Sequence, residues 1–210
     1  MDDAKLARIV SLTSEQRERS VDAVTRAFLD DPMWSCVLPS RGARATLMCP
    51  MWDALIGFAQ VYGEALTTLE GQGSACWIAP GKTKMTLWKM LRTGMALPRS
   101  MMRLPKEARG RFFGMMRLID EMHKELMPGR HWYLLALGVA PEAQGRGIGR
   151  RLIAPILARS DEDSFPCYLE TQTEANIAFY RKSGFDVIDK RREPVCELPV
   201  WFMRRESGAS

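Results

Sequence analysis

Residues 134–149 read LLALGVAPEAQGRGIG, and this stretch decides the fold. The uncharged apolar run over residues 133–140 predicts a buried strand. Three glycines then alternate with Arg146 and Ile148, and a helical pattern begins at Arg150. A glycine-rich turn between a strand and a helix can hold phosphate, because the first N–H groups of the helix point at the anion and no Cβ blocks its approach.

This turn is neither of the two common nucleotide loops. A Walker loop needs Lys followed by Ser or Thr after its last glycine, whereas Gly149 is followed by Arg150 and Arg151. A dinucleotide loop has its glycines in the first strand–helix unit, with an acidic residue on the next strand. Here the glycines stand two-thirds of the way along the chain. The pattern therefore predicts a phosphate site of another kind.

The spacing Gln-x-x-Gly-x-Gly, formed by Gln144, Gly147 and Gly149, resembles the acetyl-CoA loop of the GCN5-related N-acetyltransferase (GNAT) superfamily. The resemblance continues in residues 167–188, CYLETQTEANIAFYRKSGFDVI. They look like the next strand, at residues 167–171, and then the Asn-x-x-x-Tyr helix and the Gly-Phe strand entry of that family. These motifs cover the last third of the chain, and the first two-thirds agree with the family only in general layout.

The resemblance implies the GNAT fold, an α/β (α+β) architecture with a mixed, mostly antiparallel central sheet flanked by helices. We expect residues 1–210 to form one such domain. Residues 83–130 are predicted to be a helical insertion before the fourth strand, and this region carries nine of the fourteen methionines. Apolar residues at helical spacing predict one buried face on its first helix and one on its last, formed by Met85, Trp88, Leu91 and Met95 and by Phe112, Met115, Met116, Ile119, Met122 and Leu126. Because methionine side chains adapt to varied apolar ligands, we hypothesise that the insertion covers the acceptor site. Methionines that fill an ordinary helical core are the alternative.

The implied reaction is direct transfer of an acetyl group from acetyl-CoA, the acyl-donor cosubstrate, to a primary amine of a small molecule. Two alternatives stay open: a peptide or protein amine as acceptor, and a catalytically silent CoA-binding sensor. The reaction needs a neutral amine, a stabilised oxyanion and a proton for the departing thiolate. We expect a monomer or a homodimer.

The family match places the cofactor-binding residues at the end of the strand before the loop, in the loop itself and on the Asn-x-x-x-Tyr helix. A backbone N–H near Val139 is the predicted oxyanion donor, and Gly138 is expected to allow close approach of the ligand or a bulge. Loop N–H groups are predicted to bind the pyrophosphate. The predicted cofactor-binding residues are Leu137, Gly138, Val139, Gln144, Gly145, Arg146, Gly147, Ile148, Gly149, Arg150, Asn176 and Tyr180.

Tyr180 and Glu170 are the predicted catalytic residues. The family places this tyrosine beside the thioester sulfur, and phenol and thiol pKa values lie within roughly two units of each other, so Tyr180 is the candidate acid. Glu170 lies in an apolar strand where burial raises a carboxyl pKa, which makes it the candidate base. A core position for Tyr180 and a structural role for Glu170 are the alternatives. Glu64, His131 and a water chain are weaker candidates for the base.

The five cysteines, at positions 36, 49, 76, 167 and 196, form no CxxC pair and lie far in sequence from both histidines. We therefore expect reduced, mostly buried thiols and no metal site. No apolar run is long enough to cross a membrane, and the acidic N-terminus lacks a signal-peptide core. These features predict a cytoplasmic protein without a membrane partner.

The positive charge is concentrated in one region. Residues 82–130 contain twelve Lys or Arg and four Asp or Glu, or +8, so the rest of the chain carries −3 of the total of +5. Such a field suits an anionic ligand such as the nucleotide end of CoA, although solvated helix faces are the alternative. There is no zinc-finger motif and no aromatic–basic interleaving, so we expect no nucleic-acid partner.

Overall fold

The computed structural model describes residues 8–84 and 86–208. The strands are β1 (Ile9–Ser11), β2 (Gly63–Thr68), β3 (Gly73–Ile78), β4 (Trp132–Val139), β5 (Cys167–Thr171), β6 (Asp186–Arg192) and β7 (Pro199–Arg205). The helices are α1 (Ser14–Ala27), α2 (Pro32–Val37), α3 (Arg41–Tyr62), α4 (Leu87–Arg92), α5 (Ala96–Met102), α6 (Lys106–Leu126), α7 (Ile148–Asp163) and α8 (Glu174–Arg181).

The seven strands form one sheet in the order β1-β2-β3-β4-β5-β7-β6. Every neighbouring pair is antiparallel except β4 and β5, which run parallel. The mixed, mostly antiparallel sheet flanked by helices is therefore confirmed. The parallel pair is short: β4 and β5 are paired only at Trp132 with Cys167 and at Tyr133 with Tyr168. Beyond these two positions the strands part, and a gap opens toward their carboxyl ends.

Two apolar clusters lie on opposite faces of the sheet. The larger cluster contains side chains of α1, α2, α3, α5 and α6 packed on Ala136, Tyr168 and Phe202. The second contains side chains of α7 and α8 packed on Leu134 and Leu169. Neighbouring residues of β5, such as Tyr168 and Leu169, thus face different clusters, as the period of two in a strand requires. In β4, Leu134 and Ala136 are two residues apart but face different clusters, because a bulge lies between them.

The segment between β3 and β4 forms three helices, α4 to α6. In α6, Met115 and Met122 are buried in the larger cluster, so the predicted apolar face of this helix is confirmed. The predicted apolar face of α4 is wrong, because Trp88 and Leu91 are 73% and 52% exposed. Met85, also assigned to that face, lies outside the described residues.

Two prolines stand inside helices that continue through them. Pro50 lies in the middle of α3 and Pro155 within α7. A proline in a helix interior loses one hydrogen bond and clashes with the preceding turn. In α3 the neighbouring side chains of Met48 and Met51 are both buried, and their packing offsets this cost. Pro50 therefore does not end α3.

A disulfide joins Cys36 on α2 to Cys196 in the turn between β6 and β7, with 5.9 Å between the Cα atoms. The prediction of reduced thiols is wrong for this pair, because the fold brings together two cysteines that are 160 residues apart in sequence. The remaining three cysteines are free thiols. Among the described residues, no helix is long and apolar enough to span a lipid bilayer.

Candidate functional site

The glycine-rich turn has the conformation that its sequence predicts. Gly145 and Gly147 both have a φ of 75°, a left-handed conformation that favours glycine. A Cβ at either position would meet nothing within 4 Å, so space lies open above the backbone. Helix α7 begins at Ile148, and the N–H groups of its first turn have no carbonyl within the helix to bond. The turn can therefore direct several backbone N–H groups at an anion.

Two contacts fix this turn to the rest of the site. The side chain of Gln144 donates a hydrogen bond from Nε2 to the carbonyl oxygen of Val139 at 3.0 Å, which ties the turn to the end of β4. A Cβ at Gly149 would lie 3.2 Å from Cζ of Phe179, so glycine allows α7 to pack closely on α8. Gly149 thus serves packing, whereas Gly145 and Gly147 serve backbone conformation.

The end of β4 presents alternate backbone groups to the gap. The N–H of Ala140 donates to the carbonyl oxygen of Gln72, the residue before β3, at 2.8 Å. Val139 lies opposite Gly73, the first residue of β3. In an antiparallel pair this pattern makes Val139 a member of a non-hydrogen-bonded pair, so its N–H and C=O point away from β3 and toward β5. The backbone of Leu137 points the same way. The N–H predicted to bind an oxyanion is therefore directed into the gap.

Gly138 is used differently from either interpretation of its sequence. Its own backbone groups are directed at β3, opposite Ser74. A Cβ there would lie 3.1 Å from the ring of Phe28 and 3.3 Å from the Cα of Val24, so the glycine allows close approach of α1. The bulge in β4 lies elsewhere: Cys76 and Trp77 pair with Ala136 and Leu134, which leaves Leu135 as the extra residue.

Glu170 stands two residues beyond the last pair between β4 and β5, at the edge of the gap. Its side chain is only 5% exposed. Burial raises the pKa of Glu170 to about 8, and the nearby hydroxyls of Tyr133 and Tyr168 oppose part of this rise. Within the described residues, neither Glu170 Oε1 nor the Tyr168 hydroxyl makes a hydrogen bond of normal geometry. A carboxyl of this kind can take and return a proton near neutral pH.

Helix α6 brings His123 to Glu170, which the sequence did not predict. The distance from His123 Nδ1 to Glu170 Oε1 is 3.9 Å. On its other side, His123 Nε2 lies 2.7 Å from Nε2 of His131, a residue that the sequence did suggest as a base candidate. Burial lowers the pKa of His123 to about 4 and also lowers that of His131. Both rings are therefore neutral near pH 7.

Tyr180 lies on the opposite face of the sheet from Glu170. Its ring packs edge-on against Phe179 and Phe185, and burial raises the pKa of its phenol above the ordinary value. The phenol therefore keeps its proton at neutral pH, as an acid must. Asn176, one helical turn earlier, donates from Nδ2 to Oγ1 of Thr171 at 3.0 Å, which anchors α8 to the end of β5.

Other candidate groups lie in different surroundings. Glu64, a weaker candidate for the base, forms an ion pair with Arg159. An open cavity of about 370 Å³ lies over β6 and β7, and none of the predicted site residues lines it. Residues 8–84 and 86–208 contain no group of three His, Cys, Asp or Glu side chains placed to hold a metal ion.

Comparison with known proteins identifies this arrangement. Residues 87–185, which contain the turn, Glu170 and Tyr180, match the model of the acetyltransferase (GNAT) family. A crystal structure described as histone acetyltransferase HPA2 and related acetyltransferase, from Corynebacterium glutamicum, superposes with a TM-score of 0.63. The superposition covers 96% of this chain and 97% of that one at 18% identity, and so shows the fold. Residues 87–185 of the chain therefore resemble the GNAT family in sequence, and the chain has the GNAT fold.

Two curated N-acetyltransferases are similar to this chain in sequence. An uncharacterised N-acetyltransferase of Schizosaccharomyces pombe is 28% identical over 174 residues, which cover 80% of this chain and 70% of that protein. An N-alpha-acetyltransferase of Mycobacterium tuberculosis is 38% identical over 74 residues, which cover 34% of this chain and 47% of that protein. Together with the match to the family model, these similarities show that the chain is an acyltransferase.

Proposed function

We propose that this protein is a member of the GNAT family and transfers the acetyl group of acetyl-CoA directly to a primary amine of a small molecule. One observation carries the proposal. The only parallel strands among the described residues part beside a turn whose glycines are in the left-handed conformation, with a buried carboxyl at the edge of the gap. This gap can take an extended acyl-thioester arm, while the turn takes the phosphates at its end.

The residues present fit such a cosubstrate. Open space above Gly145 and Gly147 leaves room for a pyrophosphate on the backbone N–H groups of residues 144–150. The backbone of Leu137 and Val139 is directed into the gap, where it can pair with the amide groups of a pantetheine arm, and the Val139 N–H can stabilise an oxyanion. Asn176 is anchored to Thr171 at the end of β5, and we propose that Asn176 and Tyr180 reach the cosubstrate from α8. We propose no direct ligand contact for Gly138, because its backbone faces β3.

Proton transfer in this scheme uses two residues. Glu170 in its carboxylate form takes a proton from the ammonium group of the acceptor, which makes the amine nucleophilic. Tyr180 donates its phenolic proton to the departing thiolate. The two residues lie on opposite faces of the sheet, with the gap between them, so one serves the attacking group and the other the leaving group.

Enclosure of the Glu170 face favours a small acceptor over a protein. Helix α6 covers this face, and the disulfide between Cys36 and Cys196 ties α2 to the turn between β6 and β7. A Trp-bearing strand with Gly-Val-Ala-Pro before the loop, and a Leu-Glu-Thr strand after it, resemble puromycin N-acetyltransferase. An aminonucleoside is therefore the sharpest acceptor proposal.

A peptide or protein amine is the second candidate acceptor. The similarity to an N-alpha-acetyltransferase favours it, although that similarity covers only a third of the chain.

The disulfide between Cys36 and Cys196 bears on the cellular location of the protein, because disulfides persist mainly in oxidising compartments. The disulfide thus argues against the cytoplasmic location that the sequence predicts.

Release of CoA thiol in the presence of an amine panel tests the proposed function. The panel contains aminonucleosides, polyamines, arylalkylamines and peptides with free N-termini, and Glu170→Gln serves as the inactive control. We expect turnover with a small amine that is lost in the control. Turnover with peptides alone would support the second candidate. Binding of acetyl-CoA without turnover on any amine would instead support a silent CoA-binding sensor.

A further inference from the structure

A buried cluster of four rings surrounds Glu170. The ring of His123 lies 4.6 Å from the rings of both Tyr133 and Tyr168, and 4.9 Å from that of His131, measured between centroids. His123 comes from α6, His131 lies just before β4, Tyr133 is in β4, and Tyr168 is in β5. The insertion before β4 therefore contributes directly to the surroundings of the proposed base.

The hydrogen bonds of this cluster fix where its protons lie. The carbonyl oxygen of Gly129 can only accept, so Nδ1 of His131, 2.8 Å away, carries a proton. Because His131 is neutral, its Nε2 is an acceptor. Nε2 of His123 lies 2.7 Å from it and must donate. Nδ1 of neutral His123 therefore carries a lone pair.

This lone pair faces a group that needs a partner. Nδ1 of His123 lies 3.9 Å from Oε1 of Glu170, and Oε1 has no hydrogen bond within the described residues. A protonated carboxyl can donate to Nδ1 after a small rotation about its soft terminal torsion. A carboxylate would instead bring two lone pairs together. The histidine pair therefore favours the protonated form of Glu170.

Charged groups around the cluster do not reverse this preference. Asp120 and Lys124 on α6 act on His123 with opposite signs, and Arg204 on β7 disfavours a positive charge on His131. Tyr133 and Tyr168 favour the carboxylate of Glu170, but burial outweighs them. Both histidines thus stay neutral in the range where Glu170 titrates.

We propose that His123 is a positioning residue that accepts a hydrogen bond from the protonated carboxyl of Glu170, so that the insertion helix sets the pH at which the base becomes available. The order of bonds is Gly129 C=O, His131, His123 and Glu170, with each histidine donating toward the carbonyl. No net charge moves along this chain of bonds. It holds one proton at a defined oxygen of Glu170. When the pH rises and that proton leaves to solvent, the ionised carboxylate can exchange His123 for the ammonium group of the acceptor and take a proton from it.

Infrared titration of the folded protein tests this role without turnover. The carbonyl band of a protonated carboxyl is followed against pH, and the Glu170→Gln spectrum identifies the part that belongs to Glu170. His123→Phe keeps a ring and removes the acceptor, whereas His123→Asn places an amide oxygen near the position of Nδ1. Both variants lose the bond to His131, so they form a matched pair.

We expect His123→Phe to lower the midpoint by about one pH unit, the size of one hydrogen bond, and His123→Asn to stay near the wild-type midpoint. Equal midpoints for the two variants would overturn the proposal, because a merely structural role would move both alike. Should His123→Phe fail to fold, His131→Leu gives a second test. It lets His123 move its proton to Nδ1 and donate to the carboxylate, and we expect the midpoint to fall. An unchanged midpoint would contradict the proposal.

The inference rests on the proposed function only where it calls Glu170 the base. The pH profile of kcat/KM separates the two. A matching shift in the infrared midpoint and in the acidic limb of the profile supports both claims. An infrared shift with an unmoved profile supports the role of His123 in holding the proton and removes Glu170 as the base.

Discussion

A single added methyl group at Gly147 tests whether the backbone of the turn holds the cosubstrate. Gly147 has a φ of 75°, and a Cβ there would meet nothing within 4 Å. The change to alanine therefore adds no clash, and its cost is that of a left-handed conformation, about 1–2 kcal/mol. If the turn relaxes in the free protein, acetyl-CoA must restore the strained conformation on binding. We expect the Kd to rise by about 5- to 30-fold.

Gly94 provides a matched control for this change. It has a φ of 68° and equally open space for a Cβ, but it lies between α4 and α5 in the insertion. Gly94→Ala should lower stability by a similar amount and leave the Kd for acetyl-CoA unchanged. Isothermal calorimetry measures both affinities, and thermal unfolding checks that both variants fold. A folded Gly147→Ala protein with wild-type affinity would refute a backbone cradle.

Four further outcomes follow from the buried groups and the disulfide. Glu170→Gln should lower kcat by about 10²–10⁴-fold and remove the increase in activity that accompanies a rise in pH through about 8. Stopped-flow measurement of thiol release would show both effects, and a variant that keeps the increase would exclude Glu170 as the base. The folded protein holds a proton on Glu170 that the unfolded chain releases above pH 4.5. Denaturant titrations should therefore show that the stability of the wild-type protein falls as the pH rises toward about 8, and the Glu170→Gln variant should lack this fall. Tyr180→Phe should lower kcat by about 100-fold with the acetyl-CoA Kd within a few-fold of wild type; an unchanged kcat would leave Tyr180 as a core residue. Replacing Cys36 and Cys196 by serine should lower the free energy of unfolding by about 2–4 kcal/mol, and a difference below the error of the denaturant midpoints would mean that the bond adds nothing in solution.

The last third of the fold follows closely from local sequence signals. The apolar run, the glycine turn and the helix start lie within residues 133–163, and each depends on neighbours along the chain. Strand β5 begins and ends where its sequence predicts, at Cys167 and Thr171. Short-range periodicity and turn chemistry suffice for such elements, because their hydrogen bonds are local or to the next strand.

The features that sequence did not predict depend on distant contacts. His123 reaches Glu170 only because α6 packs in the apolar cluster on the same face of the sheet, and 46 residues lie between the two in the chain. The disulfide likewise joins two cysteines that are 160 residues apart in the chain and that only the fold brings together. Helix α2 has six residues, too few for a periodic pattern, and Asp31 caps it by accepting from the N–H of Trp34. Trp88 on α4 is exposed although its spacing suits a buried face.

Thermal unfolding with acetyl-CoA, CoA, NAD and ATP in parallel tests the central claim most directly, because a ligand that binds only the folded state raises Tm by mass action. At 100 times Kd the stabilisation is about 2.7 kcal/mol, which corresponds to a Tm rise of about 5–10 °C for a domain of this size. The account predicts that rise with acetyl-CoA and with CoA, and none with NAD or ATP. No rise with either CoA species at high concentration would contradict it.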